Sequence, residues 1–93
     1  MNTSENKMIQ ATDVRIEENM FYAILADGRE IGVPYNWFWR LDEATDQERK
    51  NWRFIGKGEG IHWEDIDEDI SIAGMLKGKP ENPAKRPKSM ATA

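Results

Sequence analysis

The chain contains no cysteine, so disulfide bonds, thiolate metal sites and cysteine nucleophiles are all excluded. It has a single histidine, which leaves a zinc site short of its usual ligands. No apolar run approaches the ~20 residues of a membrane-spanning helix, and the polar first seven residues do not fit a signal peptide. These absences predict a cytoplasmic protein with no membrane partner, whose fold is held by packing alone.

The length of 93 residues allows one small hydrophobic core. Hydrophobic residues make up 39% of the chain and aromatic residues 10%, which is typical of a globular domain, whereas charged residues at 32% solvate its surface. After Lys79 the chain is rich in proline and poor in large apolar side chains. We therefore predict a disordered N-terminus at 1–7, a single domain at 8–78 and a flexible basic tail at 79–93.

The charge is distributed unevenly along the chain. The net charge of -4 disfavours nucleic-acid binding by the molecule as a whole. The stretch from Glu59 to Asp69 contains six acidic residues and no Lys or Arg, whereas the tail contains Lys85, Arg86 and Lys88. The acidic stretch predicts attraction of a basic partner, and the tail leaves open an indirect contact with nucleic acid.

The first third of the domain reads as an antiparallel three-stranded meander. Apolar and β-branched residues predict strands at residues 8–17, at 20–26 and around Ile31 and Val33. The dipeptide Asp27-Gly28 is typical of a tight hairpin turn, and Pro34 ends the third strand because it cannot donate to a central ladder.

The rest of the domain is predicted to be a mixture of short helices and strands. Thr45 and Glu48 have the spacing of a capping box, which predicts a helix from Asp46 to about Trp52. A further strand or hairpin is expected around residues 54–63, and Ser71 is expected to cap a last short helix that ends at Gly78. The predicted fold class is therefore α+β.

The stretch YNWFWR, residues 35–40, is a candidate binding surface. Its large aromatic side chains cannot all face one small core from either a helix or a strand. Tryptophan and arginine dominate interface hot spots because they bury large areas, so we take Trp37, Trp39 and Arg40 as candidate partner-binding residues. The alternative is that Trp39 only covers the edge of the sheet.

The stretch GIHWEDIDED, residues 60–69, contains residue types that are common in active sites and metal sites. The further ligands and nucleophiles that such sites require are missing from the sequence. Asp65, Asp67 and Asp69 have the spacing of a calcium loop, yet Ile70 and Leu76 stand where its glycine and glutamate are required. No nucleophile or phosphate-binding loop accompanies the histidine. We therefore predict no catalytic, metal-binding or cofactor-binding residue.

The structural interpretation of this stretch is an acidic turn fixed to the core. His62 and Trp63 are expected to point inward, with one imidazole nitrogen bonded to a backbone carbonyl or a nearby carboxylate. The acidic face is expected to point outward. This face supplies further candidate partner-binding residues, which are Glu64, Asp65, Asp67 and Asp69.

The pattern GxGIHWxxIDEDIS, residues 58–71, resembles the bacterial family of domains of unknown function numbered 2442, over roughly residues 8–78. The signature positions of the resemblance are Gly60, His62, Trp63, Ile66 and Ile70. The resemblance implies a small α+β domain. Some members carry an appended helix-turn-helix, which implies a regulatory role, and others are similar to partners in toxin and antitoxin pairs. This chain differs from those members in having a proline-rich tail after Gly78, so we do not expect a helix-turn-helix there.

Three classes of function remain after these considerations. We favour a non-enzymatic interaction or regulatory module, antitoxin-like, whose partner is a small basic protein encoded nearby. The alternative is a nucleic-acid-associated transcriptional regulator that uses Lys85, Arg86 and Lys88. A metal-binding protein or enzyme centred on His62 is the least favoured.

Overall fold

The computed structural model describes residues 9–79. The predicted disordered N-terminus and most of the predicted basic tail, including Lys85, Arg86 and Lys88, lie outside the described residues. The strands are β1 (Ala11–Ile16), β2 (Met20–Leu25), β3 (Glu30–Pro34), β4 (Trp52–Ile55), β5 (Gly60–Trp63) and β6 (Glu68–Ser71). The helices are α1 (Trp39–Asp42), α2 (Asp46–Lys50) and α3 (Ile72–Lys77), and a 3₁₀ turn covers Tyr35–Trp37.

The first sheet is the predicted meander, with strand order β1-β2-β3 and antiparallel pairing throughout. The turn between β2 and β3 is closed by a hydrogen bond of 2.7 Å from the Leu25 N–H to the Arg29 carbonyl, and Gly28 in this turn has a φ of 96°. The sequence prediction of an Asp27-Gly28 hairpin is confirmed. The first strand begins at Ala11 rather than at Met8, and a bulge interrupts its pairing between Ala11 and Asp13.

The second sheet has the order β4-β5-β6 and is also antiparallel. The α+β class is therefore confirmed, but two boundaries differ from the prediction. The helix expected to reach Trp52 ends at Lys50, because Trp52 pairs with Trp63 in the sheet and its ring packs edge-to-face on Phe54 at 5.0 Å. The predicted hairpin also gains a third strand from Glu68 to Ser71.

Side-chain caps fix the beginnings of two short helices. The Thr45 N–H donates to Glu48 Oε1 over 2.9 Å and the Glu48 N–H donates to Thr45 Oγ1 over 3.1 Å, which confirms the predicted capping box. The Ser71 hydroxyl oxygen accepts from the Gly74 N–H at 2.9 Å, and α3 ends at Lys77 with Gly78 as its C-cap, which confirms the predicted termination.

One core joins the two sheets, and Trp63 lies within it. Its ring is fully buried, packs edge-to-face on Phe21 with the centroids 5.3 Å apart, and donates from Nε1 to the Arg49 carbonyl over 2.9 Å. The sheets also meet through their backbones, because the Ala11 N–H donates to the Gly58 carbonyl over 2.7 Å. The first sheet, α2 and the second sheet are therefore connected around a few central side chains.

None of the helices within residues 9–79 has the length and apolar character that crossing a membrane requires.

Candidate functional site

A surface groove forms where α1, the corner before α2 and the β5–β6 turn meet. Leu41 is fully buried and fixes α1 to the core, so its neighbours Trp39 and Arg40 remain partly exposed. The groove encloses about 240 Å³. Its walls are formed by Trp39, Arg40, Glu43, Ala44, Glu48 and Ile66.

Arg40 is held in place by an aromatic ring and a buried carboxylate. Its guanidinium lies 5.2 Å from the Trp39 ring centroid, within the range of a cation–π contact, and its Nη1 lies 3.6 Å from Glu68 Oε1. Glu68 is only 9% exposed, so it does not belong to the solvated acidic face that the sequence suggested. Its burial raises the pKa of the carboxyl group above the ordinary value, and the positive charge of Arg40 opposes that rise.

His62 lies on the outer face of the second sheet, opposite Trp63. The prediction that both side chains point inward is wrong for His62, because successive residues of a strand alternate between its two faces. Arg53, His62 and Asp69 form a row across the three strands. The imidazole Nδ1 is hydrogen-bonded to Asp69 Oδ1, and Nε2 lies 2.9 Å from Glu64 Oε1.

The two carboxylates favour the protonated imidazole. The hydrogen bond to Asp69 raises the pKa of His62 above its ordinary 6.5, partial burial opposes the rise, and the bond to Glu64 adds to it. Glu64 also lies 3.7 Å from Arg53 Nη2. Glu64 and Asp69 are thus engaged with neighbouring cationic groups on the sheet.

This raised pKa predicts a pH-dependent contribution of His62 to stability. We expect the free energy of unfolding of the wild type, relative to His62→Gln, to be fully enhanced below about pH 6.5 and to lose that enhancement as the pH rises through the folded-state pKa. Denaturant titrations of both proteins between about pH 5.5 and pH 8.5 measure the difference. An NMR titration of the imidazole that gives a pKa at or below 6.5 would contradict the arrangement.

Of the remaining predicted site residues, Asp65 and Asp67 lie in the turn between β5 and β6, whereas Trp37 lies against the core. Asp65 accepts a hydrogen bond from Asn51 Nδ2 over 3.0 Å, and Asp67 adopts a positive φ of 52° in the same turn. Trp37 is partly buried against the core and does not line the groove. Within residues 9–79 no group of three or more His, Asp or Glu side chains is arranged to hold a metal ion.

The groove thus combines predicted residues with residues that the sequence analysis missed. Trp39 and Arg40 were predicted as binding residues, whereas Ile66 was assigned only a structural role. Glu43, Ala44 and Glu48 were missed. The capping box was a usable signal for them, since it places a sharp corner between two helices directly after the aromatic stretch.

The two antiparallel sheets and the short capped helices define a small α+β domain. The chain belongs to the family described as "Protein of unknown function (DUF2442)", whose model matches residues 11–81. None of the curated proteins compared with the chain matches it.

Two solved structures share the fold. One is the crystal structure of a protein of unknown function from Rhodospirillum rubrum, with 27% sequence identity and a TM-score of 0.68, covering 74% of this chain and 86% of that chain. The other is the solution NMR structure of an uncharacterized protein from Chromobacterium violaceum, with 26% identity and a TM-score of 0.65, covering 97% of this chain and 85% of that chain.

Proposed function

We propose that this protein is a non-enzymatic interaction module of the cytoplasm that binds a small basic protein through the groove beside Trp39. The observation that carries the proposal is that a partly exposed tryptophan lines one concave surface together with Ile66 and with carboxylate side chains. Trp39 offers an apolar anchor of the type found at interface hot spots.

The size of the groove favours a protein side chain over a small-molecule ligand. Pockets for metabolites and cofactors usually enclose about 300–1,000 Å³. The groove encloses about 240 Å³ and is open on one side, which suits one or two side chains of a partner.

The charge around the groove favours a basic partner. Glu43 and Glu48 line it, and Asp65 and Asp67 lie in the turn that carries Ile66. The positive charge of Arg40 is offset by Glu68 at 3.6 Å. The resulting negative field would increase the association rate of a cationic protein more than its affinity.

An antitoxin-like role is consistent with this chemistry, because a toxin that acts on RNA or DNA commonly presents a cationic surface. The groove would cover part of such a surface with carboxylates while Trp39 supplies the apolar contact. The nucleic-acid alternative uses the tail instead. Deleting residues 80–93 should abolish a salt-sensitive shift of labelled DNA or RNA under the alternative and leave protein binding unchanged under our proposal.

The proposal predicts that Trp39→Ala weakens partner binding by about 30-fold, equivalent to about 2 kcal/mol, without changing the fold. The tagged chain is first co-purified with the products of neighbouring genes, and the affinity of a recovered basic protein is then measured by calorimetry. Leu76→Ala is the matched control, because Leu76 is 42% exposed and lies outside the groove. Equal affinities of wild type and Trp39→Ala would refute the proposal.

The electrostatic part of the proposal has its own test. Asp65→Asn and Asp67→Asn together remove two charges, keep a side-chain acceptor near Asn51 and keep a residue type that tolerates the positive φ at position 67. We expect a lower association rate that depends less on salt. Glu17→Gln with Glu18→Gln, in the β1–β2 turn, removes the same charge elsewhere, and an identical effect of both pairs would show that only net charge matters.

A further inference from the structure

The imidazole ring of His62 lies between two carboxylates, one at each ring nitrogen. Nδ1 is hydrogen-bonded to Asp69 of β6, and Nε2 lies 2.9 Å from Oε1 of Glu64, the first residue after β5. An ionised carboxylate only accepts hydrogen bonds, so each contact requires an N–H on the ring. The imidazolium has two N–H groups, whereas the neutral ring has one N–H and one lone pair. Loss of a single proton must therefore break one of the two contacts.

The groups around the ring decide which contact is lost. Asp69 lies opposite His62 in the strand register, and within residues 9–79 no other cationic side chain is paired with it. Glu64 has a second cation nearby, because its Oε1 lies 3.7 Å from Nη2 of Arg53 on β4. The hydrogen bond to Asp69 also raises the pKa of His62 more than the bond to Glu64 does. Nδ1 should therefore keep its proton, and Glu64 should be the group that leaves.

Glu64 can change its partner without a change of fold. Its side chain is 66% exposed and that of Arg53 is 65% exposed, so both can rotate in solvent. The turn that carries Glu64 stays attached through the hydrogen bond from Asn51 to Asp65 and through Ile66, which packs against the core. The movement is therefore confined to the Glu64 and Arg53 side chains.

We propose that His62 is a proton-operated switch that moves the Glu64 carboxylate between the imidazole ring and the Arg53 guanidinium. The protonated ring holds Asp69 and Glu64 at the same time. When Nε2 gives its proton to water, the neutral ring keeps Asp69 through the Nδ1–H, and Glu64 pairs with Arg53. The charged groups that face the ring are Arg53 from β4, Glu64 from the β5–β6 turn and Asp69 from β6.

The switch changes the charge of the protein surface as the pH rises. The pKa of His62 lies above its ordinary 6.5, so the protonated state prevails below about pH 6.5 and is lost as the pH rises through the folded-state pKa. The ring and its three charged neighbours are neutral as a set with the proton and carry one negative charge without it. For a basic partner, a consequence that rests on the proposed function, this charge in the turn of Asp65 and Asp67 increases the association rate. By linkage, the bound partner lowers the pKa of His62.

An NMR titration of the full chain, with ¹⁵N-labelled histidine and arginine, tests the switch between about pH 5.5 and about pH 8.5. His62 is the single histidine of the chain, so its ring signals are unambiguous. We expect both ring nitrogens to carry protons at the acidic end and only Nδ1 at the alkaline end. The guanidinium resonances of Arg53 should shift with the same midpoint. A neutral ring with its proton on Nε2, or Arg53 resonances that do not move, would overturn the proposal.

Glu64→Gln separates the switch from simple titration of the ring. A glutamine amide can accept from an N–H or donate to a lone pair, so it keeps its bond to Nε2 in both states. His62 should still titrate in this variant, while the Arg53 resonances lose most of their shift. Asp65→Asn is the matched control, because it removes a charge from the same turn without touching the ring, and it should behave like the wild type. An Arg53 shift in Glu64→Gln equal to that of the wild type would show that Arg53 only senses the charge of the ring, which refutes the switch. These measurements use the chain alone, so they do not depend on whether a basic partner binds the groove.

Discussion

Replacing Trp63 by Ala should lower the free energy of unfolding by about 4 kcal/mol, in the range measured for removing a large aromatic side chain from a core. The indole is fully buried, touches Phe21 in the other sheet and bonds to the Arg49 carbonyl in α2. The variant therefore loses apolar burial and leaves a cavity. It also leaves the Arg49 carbonyl without the hydrogen-bond donor that Trp63 supplies. Since small domains have a total stability of about 5–15 kcal/mol, this loss is a large fraction of the total, and the denaturation midpoint of the variant should fall well below that of the wild type.

Trp39→Ala provides the matched control for this experiment, since it removes the same side chain from a partly exposed position. Its cost should be within about 1 kcal/mol. Trp63→Phe keeps a ring in the core and should fall between the two, so the comparison remains informative if Trp63→Ala does not fold. Chemical denaturation followed by circular dichroism measures all three, and equal losses for Trp63→Ala and Trp39→Ala would contradict the description of the core.

The elements that could be predicted from the sequence are those specified by neighbouring residues. The Asp27-Gly28 turn follows from the positive φ that a tight hairpin demands, and the capping box follows from two reciprocal bonds between Thr45 and Glu48. Ser71 likewise caps the last helix through a bond to a backbone N–H only three residues away. Each signal acts within a few residues, so the sequence carries it without knowledge of the tertiary structure.

The errors occurred where tertiary contacts decide the outcome. Glu68 resembles its solvated acidic neighbours, but in the structure it begins β6, faces inward and meets Arg40 from a distant helix. The inward placement of His62 was wrong because the strand, once formed, sends Trp63 to the core and His62 to the opposite face. The prediction that the helix reaches Trp52 was wrong because Trp52 belongs to β4, where it pairs with Trp63 of β5.

The candidate site also contains some residues that the local sequence indicated and others that only the tertiary structure brings to the groove. The aromatic stretch indicated that some of its side chains must be exposed, and Trp39 and Arg40 do line the groove. The opposite wall, Ile66, comes from a turn of the second sheet, and no local pattern connects it with Trp39. The acidic residues also separate by role, because Glu64 and Asp69 are bonded to His62 whereas Asp65 and Asp67 lie in the turn beside the groove.

Gly58→Ala should lower the free energy of unfolding by about 3 kcal/mol or more, although it adds a single methyl group. Gly58 has a φ of 94°, which L side chains rarely adopt, and an added Cβ would overlap the carbonyl oxygen of Ala11. That oxygen belongs to backbone and cannot rotate away. The two segments are also joined by the hydrogen bond of 2.7 Å from the Ala11 N–H to the Gly58 carbonyl. The substitution would therefore push the β4–β5 turn away from β1 and loosen the junction between the two sheets.

Gly28→Ala separates the two causes of this loss. Gly28 has nearly the same φ, 96°, but an added Cβ there would meet nothing within 4 Å. Its cost should therefore be the backbone strain alone, about 1–2 kcal/mol. The excess loss in Gly58→Ala then measures the contact with Ala11, and hydrogen exchange of the Ala11 amide should accelerate in that variant only. Equal losses of stability in the two variants would show that φ strain explains both and that the junction between the sheets yields without cost.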